Sequence, residues 1–245
     1  MRRLMIAGPM ALLLLLVGTI GVFANTDPYT SSSSGWDASY PNCSWSSPPP
    51  GSFGIVGVTG GRPFTVNTCS ATEYQWSAAT LVAPSLYFNT AYSGAYKRDL
   101  LSTGYCAAVP SSDSGLSANY QQAWRIGCSE AAYAYANQPG PAPTWWLDVE
   151  TSNSWASNDV QLNRWAIQGS VDFLNGAAVA VANVGVYSDS GMWTTITGGG
   201  WQPSGVSGAW TSKGGCTTFL LTAPAWLAQS SGTFSGGTYD LDSAC

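Results

Sequence analysis

The chain has 245 residues, of which 45% are hydrophobic, 13% aromatic and only 9% charged, and its net charge is −5. So few lysines and arginines, scattered rather than clustered, exclude nucleic acid or an anionic membrane surface as a partner, and the apolar content excludes a disordered chain. Histidine is absent, which removes Ser-His-Asp and Cys-His catalysis and every histidine-bearing metal site.

Met1-Arg2-Arg3 followed by the apolar run Leu4 to Phe23 reads as an export signal, with Val22 and Ala24 at the small-residue positions of a cleavage site. Residues 1–24 are therefore expected to be removed, residues 25–34 to form a flexible serine-rich leader, and residues 35–245 to form one domain. No later stretch is long and apolar enough to span a bilayer. A secreted protein, with no membrane association after cleavage, is the expectation.

Six cysteines in an exported chain suggest three disulfides, for which fifteen pairings are possible. Pairing each with its neighbour in sequence (Cys43–Cys69, Cys106–Cys128, Cys216–Cys245) closes loops of about 26, 22 and 29 residues, each worth about 3–4 kcal/mol. No CxxC spacing or phosphate-binding loop is present, so neither a metal nor a cofactor is expected.

From residue 35 onward, short apolar runs alternate with helical stretches. Residues 35–40 predict a first strand, 53–59 a glycine-punctuated second strand, 69–82 a helix and 85–90 a third strand. Residues 118–137 predict a long helix and 144–150 a buried strand. A helix over about 158–175 follows, capped by Asn158 or Ser157, then a strand at 183–188. A short helix begins at Ser190 and ends at Gly198-Gly199-Gly200. Residues 209–211, 224–229 and 238–242 predict three short late strands with little helix between them. This alternation implies a mostly parallel sheet covered by helices, and about eight strands fit a small, irregular (β/α) barrel of the TIM type. A doubly wound open sheet is the alternative, but no Gly-x-Gly-x-x-Gly follows an early strand.

Barrel chemistry gathers at the carboxyl ends of the strands. Asp37 lies there on the first strand, flanked by Trp36 and Tyr40, with Asn89 on the third. Asp148 and Glu150 follow on the fourth, then Tyr187, Trp210, Trp226, Gln229, Asp240 and Asp242 on the later ones. Asp148 and Glu150 are two residues apart, so strand alternation places them on one side with Cβ atoms about 6–7 Å apart. A carboxylate pair beside tryptophans supplies a general acid and a charge-stabilising partner, the combination that glycosidic cleavage needs.

Gly35-Trp36-Asp37-Ala38-Ser39-Tyr40-Pro41 resembles the opening motif of the glycoside hydrolase family 25 lysozymes, and Trp146-Leu147-Asp148-Val149-Glu150 resembles that family's Asp-x-Glu strand. Ala225 to Gln229 and Tyr239 to Asp242 resemble its late strands, and the secreted, disulfide-bearing bacterial branch is closer still. The resemblance spans about residues 35–245 and is weakest after Gly200. It implies a flattened β/α barrel, monomeric, that cleaves the β-1,4 bond between amino sugars of bacterial peptidoglycan. By position, it makes Glu150 the general acid and Asp148 the residue that orients the substrate N-acetyl group and stabilises its developing charge. It places Asp37 and Asp240 or Asp242 on the floor, and offers Trp36, Tyr87, Tyr187, Trp210 and Trp226 for stacking on sugars. A barrel that binds cell-wall glycan without cleaving it is the competing expectation.

Overall fold

A computed structural model describes residues 26–176, 179, 181–218 and 220–245; the expected export signal lies outside them. Eight strands close a barrel in sequence order: β1 (Ser34–Ala38), β2 (Gly54–Gly57), β3 (Ser85–Asn89), β4 (Thr144–Asp148), β5 (Asn183–Ser188), β6 (Gly208–Thr211), β7 (Ala225–Phe234) and β8 (Gly237–Ala244). Neighbours from β1 to β7 run parallel, whereas β8 runs antiparallel to both β7 and β1. Among the described residues, four α-helices cover the outside: α1 (Ser70–Ala78), α2 (Ala118–Ala136), α3 (Val160–Leu174) and α4 (Ser190–Thr197).

Strand alternation divides the apolar residues into two layers. Trp36, Ala38, Val56, Leu86, Phe88, Trp145, Leu147, Val184 and Val186 point outward and join helix residues such as Ala131, Ile167 and Val171 in the larger core. Phe53, Ile55, Trp146, Trp210, Trp226 and Leu227 point inward and fill the barrel. Both tryptophans of the 145–146 pair are thus fully buried, on opposite faces of β4. The inner layer is crowded enough that a Cβ on Gly185 of β5 would stand 2.2 Å from the Trp146 ring. Outside, α2 and α3 meet backbone to backbone. A Cβ on Gly127 would stand 1.7 Å from the Ala166 carbonyl oxygen, and one on Gly169 2.0 Å from that of Trp124.

Helix starts follow local chemistry. Ser117 caps α2 by accepting from the Tyr120 N–H, and Asp159, rather than Asn158 or Ser157, caps α3 by accepting from Gln161. The disulfides join Cys43–Cys69, Cys106–Cys128 and Cys216–Cys245. The last ties the β6–β7 connection, a crossing without a regular helix among its described residues, to the chain end.

Two regions differ from expectation. The leader is not free: Tyr29 is buried in the inner core, shares a 2.7 Å hydrogen bond with the Ser85 hydroxyl and accepts from Trp146 Nε1 at 3.2 Å. Ser31 and Ser32 bond to the carbonyls of Cys245 and Ala244. One aromatic side chain that closes the barrel outweighs a composition that reads as linker. The last two strands are also longer than predicted, because they form a hairpin through Ser235 and Gly236, both at positive φ.

Beside the Cys43–Cys69 bridge, α1 buries Glu73, whose carboxylate accepts from Asn67 Nδ2 at 2.6 Å. Burial pushes its pKa from the ordinary 4.5 up to about 7, against the opposing Asn67 bond. The fold therefore favours the protonated form: its contribution is complete below pH 4.5 and is lost as pH rises through about 7. Glu73→Gln is expected to flatten that part of the decline, so chemical denaturation at pH 5 and pH 8 should differ less for the variant than for the wild type.

Candidate active site

Asp37 on β1, Tyr87 on β3, Asp148 at the end of β4 and Glu150 just beyond it converge at the mouth of the barrel. Tyr187 on β5, Trp210 on β6, Gln229 on β7 and Asp240 on β8 complete the wall of a cavity of about 230 Å³. Because β8 runs in the opposite direction, Asp240 lies opposite Asp37 in the register and reaches the same rim. A second lobe of about 290 Å³ shares Tyr87, Asp148 and Glu150 and continues over Ser39, Tyr40, Thr59, Asn89, Ser152 and Asn153. The cleft thus runs to both sides of the Asp148–Glu150 pair.

Hydrogen bonds fix three of the carboxylates. Asn89 Nδ2 donates to Asp148 Oδ2, and the Asn89 amide is itself oriented by the Thr59 hydroxyl, which donates to its Oδ1 at 2.7 Å. Gln229 Nε2 donates to Asp37 Oδ2 at 2.8 Å, while its Oε1 accepts from the Tyr187 hydroxyl at 2.7 Å. Trp210 Nε1 donates to Asp242 Oδ1 at 2.8 Å. Asp148 Oδ1 is buried and has no hydrogen-bond partner among the described residues.

So many buried acids cannot all be ionised together. Burial, then the charge on Asp240, raises the pKa of Asp37 well above the usual range, with the Gln229 and Asp242 hydrogen bonds opposing. Burial, then the charges of Glu150 and Asp37, does the same to Asp148. Asp242 is raised well above the usual range, first by burial and then by the charge of Asp37, so the two neighbouring acids disfavour each other's ionisation. Glu150 is less enclosed and more modestly raised, first by burial and then by Asp240 and Asp189, while Ser152 and Lys213 pull it down. Lys213 is mostly exposed and forms a 3.0 Å ion pair with Asp189, the residue that caps α4.

Most of the residues predicted from the sequence meet here. Asp37, Asp148, Glu150, Tyr87, Tyr187, Trp210, Gln229 and Asp240 share the first lobe, and Tyr40 and Asn89 lie in the second. Three predicted contacts are corrected. Trp36 is adjacent to inward-facing Asp37, so alternation turns it outward into the helix-covered core. Trp226 is the extra residue at the β6–β7 register shift, and its ring packs below the floor, edge-on to Trp146 at 6.1 Å. Asp242 is fully buried, bonded to Trp210 Nε1, and lines neither lobe of the cleft. Thr59, Ser152, Asn153 and Lys213 were not anticipated. Thr59 was within reach, since it follows β2 at a barrel strand end; Lys213 carries no local signal.

Among the described residues, the ligand-type atoms close enough to share a metal belong to Cys43, Cys69 and Glu73, and the two sulfurs are already joined in a disulfide. Also among them, no helix is long and apolar enough to cross a membrane.

No protein-family model matches the chain, and no curated protein matches it. Among solved structures it is similar to a muramidase from Acremonium alcalophilum, with a TM-score of 0.51 and 14% identity over 86% of this chain and 93% of that one. It is likewise similar to a bacterial lysozyme from Streptomyces coelicolor, with a TM-score of 0.52 and 14% identity over 88% of this chain and 93% of that one. At this identity the likeness is one of fold: the chain has the barrel architecture of these lysozyme-type proteins.

Proposed function

We propose that the protein is a secreted, monomeric glycosidase that cleaves β-1,4 bonds of bacterial peptidoglycan. The observation that carries this reading is Asp148: one carboxylate oxygen is locked by Asn89, the other is unpartnered, and Glu150 stands beside it in the same cleft. The N–H of a sugar's 2-acetamido group is the donor that Asp148 Oδ1 lacks. By donating there it favours ionised Asp148 and leaves the proton of the pair on Glu150.

Glu150 then passes its proton to the glycosidic oxygen as the C1–O bond breaks, and the leaving sugar keeps the bonding electrons. The acetamido oxygen, aligned by Asp148, closes on C1 and shares the positive charge. Water then adds to C1 as the bond from C1 to the acetamido oxygen breaks and restores the amide, and it returns a proton to Glu150, so the net change is hydrolysis with the acid regenerated. Tyr187 and Gln229 hold Asp37 against the floor, where it accepts from a sugar hydroxyl or the attacking water. The three disulfides suit the oxidising compartment outside the cell.

A second reading has its own observation. Asp148 is the more deeply enclosed acid, and a carboxyl that stays protonated there could hold an acetamido group without stabilising charge. The cleft would then bind glycan and release it intact. Release of new reducing ends from purified peptidoglycan decides between them: the hydrolase produces them, whereas glycan pull-down without new ends assigns the cleft to binding.

Turnover needs Asp148 ionised and Glu150 protonated, so the rate should fall at both low and high pH. Lys213 lowers the pKa of Glu150, and pairing neutralises Asp189, which raises it. Lys213→Ala removes both effects in the same direction. It is expected to shift the alkaline limb of the rate profile to higher pH, and an unmoved or lowered limb would contradict the assignment of Glu150 as the acid.

A further inference from the structure

On the outer flank of α3 lies a second cavity of about 500 Å³, well within the range of about 300–1,000 Å³ found for ligand sites. It shares no lining residue with either lobe of the cleft. Trp165, Gln168 and Asp172 project from one side of α3, and Tyr105 with the turn carrying Ser112 and Asp113 forms the opposite wall.

These walls are already built. The Cys106–Cys128 bridge ties the turn at Tyr105 to α2, and the Tyr105 ring packs on Trp124 and Phe173 at 6.0 and 6.3 Å. Gln168 donates to the Ser204 carbonyl at 3.1 Å and accepts from its N–H at 2.9 Å. Asp172 accepts from Gln168 Nε2 and from Trp124 Nε1, each at 2.7 Å. A site fixed in this way loses little conformational freedom on binding.

Its chemistry narrows the occupant. No lysine or arginine lines it, so nothing there attracts an anion. Two accessible aromatic rings stand beside a carboxylate and hydroxyls, which suits a pyranose: C–H groups lie on a ring face while hydroxyls donate to oxygen acceptors. A cationic peptide would also suit carboxylates near rings, but the Asp172 oxygens are already oriented by two N–H donors of the wall, which leaves Asp113 as the carboxylate not held by such a bond. We propose that this cavity is an outer saccharide-binding site, which holds a neutral stretch of glycan strand away from the cleft.

The full-length Glu150→Gln protein, titrated with the β-1,4-linked tetramer of N-acetylglucosamine, tests this through its tryptophan indole N–H resonances. The Trp165 signal, assigned by its loss in Trp165→Ala, is expected to shift saturably. Pull-down on insoluble peptidoglycan should weaken about tenfold in Trp165→Ala, with a smaller loss in Asp113→Ala, whose exposed turn does not support the core. Cleavage of a soluble glycan by the same single variants in the otherwise unaltered protein should be unchanged. A Trp165 resonance that stays still while Trp210 moves, wild-type pull-down by both variants, or a stronger Trp165 response to tetralysine would overturn the proposal. The site does not depend on turnover in the cleft. Saturable binding at Trp165 in a protein that releases no reducing ends would sink the hydrolase reading alone.

Discussion

Glu150→Gln is expected to slow peptidoglycan cleavage by about 10²–10⁴-fold, the usual contribution of a positioned general acid, while the protein still folds and still binds glycan. The amide keeps the size of the side chain and cannot deliver a proton to the leaving oxygen. Glu150 lies just past the end of β4, lines both lobes of the cleft and, among the described residues, accepts at its side chain only a long 3.4 Å bond from Ser152, so little of the fold hangs on that side chain. The loss should appear in kcat rather than in glycan affinity, because a proton transferred in the transition state contributes nothing to ground-state binding. A variant within a few-fold of the wild-type rate would remove Glu150 from the role of acid and direct attention to Asp240, the other partly enclosed carboxyl of the lobe.

Trp146→Ala is expected to cost about 3–5 kcal/mol of stability, the range for deleting a large aromatic side chain from a core. That is a large share of the roughly 5–15 kcal/mol that holds a typical domain together. Trp146 is fully buried at the centre of the inner layer, edge-on to Trp210 at 5.7 Å and to Trp226 at 6.1 Å, and it donates to Tyr29. Its removal leaves a void between rings that strands on either side hold apart. It also strips the Tyr29 hydroxyl of one partner and undermines Trp210, which bonds Asp242 beneath the cleft. Urea denaturation at fixed pH measures the effect, and a loss below about 1 kcal/mol would mean that the barrel interior collapses around the gap.

Much of this arrangement is legible in the sequence because parallel strands buried on both sides are short, apolar and separated by helices or turns. The segments carrying Asp37, Asp148 and Tyr187 follow that grammar, and period-two alternation alone places Asp148 and Glu150 on one side. The same alternation, applied strictly to β1, turns Trp36 away once Asp37 faces in. Trp226 is different: a register shift resets the parity of β7 before its tryptophan, and nothing local in the sequence marks the shift. The β7–β8 hairpin is hidden by its own composition, since its outer half is mostly serine, threonine and glycine, with Phe234 and Tyr239 too isolated to set an apolar period. Tyr29 is hidden for a related reason. Its neighbours are polar, and the partners that bury it lie on β3 and β4, far along the chain.

The central claim is that this cleft cuts the glycan backbone, and the sugar at each new chain end tests it most directly. Purified peptidoglycan, digested with wild-type protein or with Glu150→Gln and then reduced with borohydride, can be hydrolysed and analysed by mass spectrometry. Acetamido-assisted cleavage of the muramidase type predicts that reduced muramic acid accumulates with wild-type protein and stays at background with the variant. Equal amounts from both proteins, or none from either while both remain bound to the glycan, would contradict it.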